Sequence, residues 1–204
     1  MGLGKIVTLS FFNIKYRMKH LIIYCHFNAD SFTKAVTEKL VDVAKTKDHE
    51  IKMIDLYADQ FDPVLKASDM SPDAETPENI LAYQELVKWA DHYTVVYPLW
   101  WGQMPAILKG FIDRVFANGI AYVYGPEGPS GILGGRTARV IINTGTPDAY
   151  YAQDGMHEAQ VRVNDGGIFG FCGIDTEVTF FGDVPMGSDE LRKGYLEQVT
   201  DLVP

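Results

Sequence analysis

Residues 21–45, LIIYCHFNADSFTKAVTEKLVDVAK, change their hydrophobic period in mid-stretch, and that change decides the fold class. Residues 21–27 are a nearly unbroken apolar run, the pattern of a strand covered on both faces. Asp30 and Ser31 then offer side-chain oxygens that can cap a helix N-terminus. Behind them Phe32, Ala35, Val36, Leu40, Val43 and Ala44 recur at helical spacing through Lys45. A buried strand feeding an amphipathic helix is the repeating unit of a parallel sheet.

The same alternation continues along the chain. Strands are predicted over 50–56, 93–99, 138–144 and 176–182, and helices over about 80–90, 107–116 and 188–202. The acidic, proline-dotted stretch 58–79 reads as a surface excursion. Five strands alternating with helices predict an α/β three-layer sandwich around a five-stranded parallel sheet. Right-handed crossovers in such a sheet put ligands beyond the carboxyl ends of the strands. The fold is expected as one domain over 18–204. Residues 1–17 read as a dispensable N-terminal extension: the short apolar run from Ile6 lacks a cleavage site, and Ile6 stands where a myristoylation signal needs Ser or Thr. Met18, directly ahead of the first strand, is a candidate natural start.

Composition removes whole classes of function. The net charge of −9, with no basic block, excludes nucleic acid as an expected partner. No run approaches the ~18 apolar residues of a membrane span. Cys25 and Cys172 lie in apolar runs without metal-ligand spacing, and buried thiols suit a reducing compartment, so a cytoplasmic location is expected. No Gly-x-Ser-x-Gly elbow occurs, and His157-Glu158 is not followed by the second histidine of a zinc helix, so hydrolytic and metal chemistry are not expected.

Three segments at predicted strand ends carry unusual chemistry. The first, His26 to Thr33, leads into a helix N-terminus whose free N–H groups suit a phosphate or pyrophosphate. His26 and Ser31 are equally readable as an ordinary strand-end histidine and an ordinary cap. The second, Pro98-Leu99-Trp100-Trp101-Gly102, puts adjacent tryptophans in a proline-bracketed loop. Neighbouring loop side chains do not readily enter one core, so at least one should face a ligand plane or a partner. The third, Asn143-Thr144-Gly145-Thr146-Pro147, can bring backbone N–H groups against a flat polar ring.

Tyr97 to Phe116, twenty contiguous residues, closely resembles the flavin loop and following helix of the NAD(P)H:quinone oxidoreductase family. The likeness extends to His26 with Ser31-Phe32, Phe61-Asp-Pro, Ala121-Tyr-Val-Tyr124, Thr144-Gly145, Tyr151 with His157, and Phe171-Cys-Gly. It implies a flavodoxin-like flavin-binding domain, an NAD(P)H dehydrogenase (quinone) working by ping-pong transfer of two electrons, and a homodimer. It places the flavin phosphates near His26, Phe32 and Thr33, and the ring along Pro98, Leu99, Trp100, Trp101 and Gly102 and the turn Thr144-Gly145-Thr146. Tyr151 and His157 would stabilise charge on the reduced ring. Trp101, Tyr122, Tyr124 and Phe171 would wall the acceptor pocket, although Phe171 alone reads as core.

The sequence departs from the family at Thr33, where Asn is usual, at Trp100, and at Thr146, where a second glycine is usual. The long C-terminal extension of the mammalian enzymes is also absent. FAD is the expected cofactor, with FMN as the alternative, and NADPH or NADH the donor. Two other roles share the fold: a regulatory flavoprotein subunit of a potassium efflux system, and a flavodoxin-type electron carrier. The carrier's Ser/Thr-rich phosphate loop does not follow the first strand here.

Overall fold

The computed structural model describes residues 17–71 and 75–204, so the expected extension lies, but for its last residue, outside the described residues. Five parallel strands form the central sheet: β1 (Lys19–Tyr24), β2 (Glu50–Asp55), β3 (His92–Pro98), β6 (Thr137–Asn143) and β7 (Asp175–Phe181), in the order β2-β1-β3-β6-β7. The fold is flavodoxin-like, with the sequence order reversing between β1 and β3, where open α/β sheets bind ligands.

The strand period of two sorts side chains into two cores. On one face Leu21, Ile23, Tyr93, Val95, Tyr97, Val140 and Ile142 pack with α2 (Glu78–Trp89) and α3 (Ala106–Val115). On the other face Ile22, Val96, Ile141 and Phe181 pack with α1 (Phe32–Thr46) and α6 (Asp189–Leu202). β3 is buried along its whole length, which explains why it reads as a continuous apolar run. Helix α1 starts where its cap predicts, with the Ser31 Oγ accepting the Lys34 N–H at 3.1 Å, and Ser188 caps α6 in the same way.

Several elements were not expected. Helix α2 begins at Glu78, and a single 3₁₀ turn occupies Ala67–Met70, both within the predicted excursion. That excursion is pinned to α3 by buried Arg114, which donates to Asp62 O at 2.7 Å and to Asp69 Oδ2 at 2.9 Å. A hairpin, β4 (Tyr122–Gly125) and β5 (Gly128–Gly131), stands between α3 and β6. Between β6 and β7 come α4 (Asp148–Asp154), α5 (Met156–Val161) and a π-helical run over Arg162–Phe169.

Candidate active site

The carboxyl ends of β1, β3 and β6 open into a cleft of ≈ 310 Å³. One wall is His26, Phe32 and Thr33, a second Pro98, Leu99 and Trp100, a third Asn143, Thr144 and Gly145. Val184 and Pro185, after β7, close the fourth side. The volume and the mixture of apolar rings with a few polar atoms are those of a small-molecule site.

The first wall is built for an anion. Helix α1 has fifteen residues and no acidic side chain in its first turn, so the positive end of its dipole is available to an anion, with Asp30 the nearest carboxylate, one residue ahead of the cap. His26 Nδ1 lies 3.0 Å from the Asn28 N–H, which can only donate. Nδ1 also lies 3.2 Å from the Asn28 carbonyl oxygen, so it accepts from the one or donates to the other according to its tautomer. Burial holds His26 below the ordinary imidazole value, against an opposing pull from the Asn28 backbone. His26, Phe27 and Trp100 form an aromatic group at the mouth, with Phe27 5.8 Å from Trp100 and stacked on His26 at 4.9 Å.

The second wall ends in a tight turn. Trp100 and Gln103 exchange both backbone hydrogen bonds, at 2.9 and 3.0 Å, across Trp101 and Gly102, which both have positive φ (+53° and +70°). Positive φ at both central residues is the pattern of a type I′ turn, which glycine accepts freely and tryptophan at a cost of about 1–2 kcal/mol. The turn is braced from outside: buried Gln160 donates from Nε2 to Gly102 O at 2.7 Å. Asn164 donates to Gln160 O at 2.9 Å and accepts from the Tyr97 hydroxyl at 3.1 Å. Of the two tryptophans, Trp100 lines the cleft and Trp101 is fully exposed beside it. Gly102 and Thr146 belong to the turns but not to the cleft lining.

Tyr151 lies on α4 and His157 on α5, joined through Gly155 at φ +84°. Neither lines the cleft. The His157 ring stacks on Phe180 of β7 at 4.0 Å, nearly parallel. Its Nε2 lies 2.9 Å from Asp148 Oδ1 but off the N–H direction, so no hydrogen bond is formed between them.

The expected acceptor wall divides in two. Tyr122, Tyr124 and Phe171 cluster with ring centroids 5.5–5.6 Å apart. Tyr122 and Phe171 line a second hollow of ≈ 240 Å³ with Ile112, Phe116 and Cys172, while Trp101, exposed beside the first cleft, lines neither. Within one chain these residues do not surround a common space.

Val184, Pro185 and Gln160, around the site, escaped the sequence reading, and Asn143 heads the third segment, where the sequence assigns its side chain no role. Asn143 is the last residue of β6, and there it looks like one more strand position. Its side chain is almost wholly buried, with Nδ2 donating to Thr33 Oγ1 at 3.0 Å and Oδ1 without a partner. Gln160 carries a signal only in its depth, since a glutamine 2% exposed must spend its donors somewhere.

Comparison with known proteins agrees with this architecture. Residues 18–202 match the family model described as a flavodoxin-like fold. An NAD(P)H oxidoreductase of Haemophilus influenzae is 32% identical, over 88% of this chain and 91% of its own length. The NAD(P)H dehydrogenase [quinone] 1 of Cavia porcellus is 31% identical over 90% of this chain and 78% of its own. Among solved structures, the NAD(P)H:quinone oxidoreductase of Methanothermobacter marburgensis superposes with a TM-score of 0.82, at 25% identity, over 91% of this chain and 95% of its own. The chain therefore belongs to the NAD(P)H:quinone oxidoreductase family of enzymes with the flavodoxin-like fold.

Proposed function

We propose that this enzyme uses a bound flavin to reduce quinone-like acceptors by two electrons at the expense of NAD(P)H. One observation carries the reading: a single cleft at the reversal point of the sheet combines a helix N-terminus whose first turn holds no acidic side chain with a flat wall made by two tight turns. Those parts fit a phosphate and a planar heterocycle held on one molecule, and the polar atoms offered between them fit the chain linking the two. FAD is favoured and FMN is the alternative. NADPH and NADH are both candidate donors. The oxidoreductase names of the relatives favour this reading over a regulatory subunit or an electron carrier.

His26, Phe32 and Thr33 would hold the phosphate end, with the His26 ring and the first-turn amides as donors. Pro98 to Gly102 and Thr144 to Thr146 would hold the ring, their backbone N–H groups meeting its carbonyl oxygens and nitrogens. A bound flavin supplies the redox chemistry, accepting two electrons from NAD(P)H and passing them to the acceptor. Tyr151 and His157 would donate hydrogen bonds to the ring edge where negative charge develops, the kind of fixed dipole that lowers a barrier most. Donor and acceptor would occupy the open ring face in turn, so the kinetics are ping-pong.

Tyr122, Tyr124 and Phe171 would reach that face from a second subunit. Their separation from Trp101 within one chain, and the exposure of Tyr124, support a homodimer whose acceptor pocket spans the interface.

The deciding experiment is the visible spectrum of the purified protein during anaerobic addition of NADPH and then menadione. Flavin bands that bleach and return are expected, with the extracted flavin identified by chromatography. Absence of bound flavin after reconstitution with both FAD and FMN would overturn the reading.

A further inference from the structure

The cleft has two ends with opposite demands and one buried atom between them that neither end explains. Asn143 is 4% exposed and lines the cleft midway between the first turn of α1 and the turn at Gly145. Its backbone carbonyl accepts the Leu99 N–H at 2.8 Å, which ties β6 to β3 and fixes where the side chain starts. Its Nδ2 is committed to Thr33 Oγ1 at 3.0 Å, and Thr33 is itself buried. That leaves Oδ1, an acceptor without a partner, in a wall of the cleft. An orphaned buried acceptor costs about 1–3 kcal/mol, so a fold that keeps one at a ligand site points to the group that satisfies it.

The chemistry of that group follows by elimination. Oδ1 carries partial negative charge and repels the phosphate oxygens that the end of α1 attracts. Ring carbonyls and ring acceptor nitrogens offer it nothing, and the ring's one donor, N3–H, lies on the pyrimidine edge, away from the N10 chain that leads to the phosphate. It needs a neutral donor placed between an anion and a flat heterocycle, and the unit that lies there in a flavin nucleotide is its hydroxylated five-carbon chain. We infer that Asn143 is a specificity residue for the flavin's polyol, its Oδ1 accepting from a ribityl hydroxyl and its Nδ2 holding Thr33 in place. The inference rests on the flavin reading above and goes beyond it by assigning the middle of the ligand. Accepting from Nδ2, Thr33 Oγ1 also keeps its own proton to donate along the same wall.

The test separates the three parts of the ligand. Equilibrium binding of FMN, riboflavin and lumiflavin (the ring without the polyol) is measured by flavin fluorescence on the full-length chain freed of flavin. Wild type should bind riboflavin more tightly than lumiflavin. Asn143→Leu should weaken riboflavin and FMN alike by about tenfold and leave lumiflavin unchanged. Asn143→Asp, which retains an acceptor, should stay within about threefold of wild type for riboflavin. On the ligand side, deoxyribityl flavins presented to wild-type protein should include at least one that loses about tenfold, and this arm needs no variant to fold. Loss for FMN alone would place Asn143 on the phosphate and overturn the inference. Equal loss for all three ligands would make its role structural and overturn it too. Wild-type protein that binds none of the three would overturn the flavin reading itself.

Discussion

Gly110 sits where α3 crosses the Phe61-Asp62-Pro63 segment. A Cβ there would stand 2.2 Å from Pro63 O and 2.4 Å from Pro63 Cβ, distances that no real side chain shows. The segment has nowhere to retreat, because Arg114 holds Asp62 and Asp69 from the same helix. Gly110→Ala should therefore lower stability by roughly 1–3 kcal/mol through overpacking, outweighing alanine's better helix propensity. A urea midpoint equal to wild type's would show that the crossing is looser than its distances. At the reacting end, Tyr151→Phe combined with His157→Leu should slow flavin reduction by NADPH by roughly 10²-fold while leaving flavin bound. An unchanged rate in stopped flow would remove both residues from the chemistry.

Among the elements, the π-helical run Arg162–Phe169 does the most for the site. Such runs are rare and concentrate at functional sites. Here the run and the end of α5 deliver Gln160 and Asn164 to the back of the tryptophan turn, closing a loop from Tyr97 through Asn164 and Gln160 to Gly102. The same helix carries His157, so this brace also fixes His157 relative to the turn. Gln160→Leu leaves the Gly102 carbonyl without its donor and should weaken flavin binding about fivefold to tenfold, with a shift in the bound-flavin spectrum. Flavin affinity and spectrum identical to wild type's would show that the Trp100–Gln103 pair holds the turn unaided.

Legibility in the sequence followed periodicity. The three inner strands could be read because they are buried and largely apolar, the more exposed edge strands β2 and β7 because they keep step with the alternation, and the long helices because α1, α3 and α6 each bury one stripe. The hairpin Tyr122–Gly131 could not: its strands are four residues long, glycine and proline occupy much of them, and most of it is exposed. The segment from Asp148 to Phe169 failed for another reason. Two helices of seven and six residues, broken by Gly155 and followed by a π-helical run, never sustain one period long enough to detect. In the cleft, the residues brought together at strand ends were visible as motifs. Gln160 and the role of the Asn143 side chain were not, because a buried polar residue declares itself only through partners distant in sequence.

At the scale of the whole molecule, the sheet end opposite the cleft holds a second polar group, made of histidines. His20 on β1 and His92 on β3 are buried and meet edge to face at 4.8 Å, with His49 6.1 Å from His20. The Thr94 hydroxyl joins the first two, 2.8 Å from His20 Nε2 and 3.3 Å from His92 Nε2, and the Thr137 hydroxyl lies 2.6 Å from His92 Nδ1. Burial, aided by His92 and His49, pushes His20 down to about 3. Burial, aided by Arg139 and His49, pushes His92 down to about 4. Both are thus neutral in the folded protein at neutral pH, whereas in the unfolded chain they titrate near 6.5. The sign follows: the unfolded state binds more protons between those values, so stability is full above pH 6.5 and falls as the pH drops toward 4. Each histidine should cost roughly 2 kcal/mol between pH 6.5 and 5. Carboxylates contribute little in that window, since Asp69, whose burial is outweighed by the Lys66 backbone and Arg114, is held below its ordinary value and titrates lower still. Urea midpoints should therefore fall steeply from pH 7 to pH 5, and His92→Gln should flatten the slope even if it lowers the midpoint at pH 7. Equal midpoints at the two pH values would mean that β1 and β3 separate enough to hydrate both rings without unfolding the sheet.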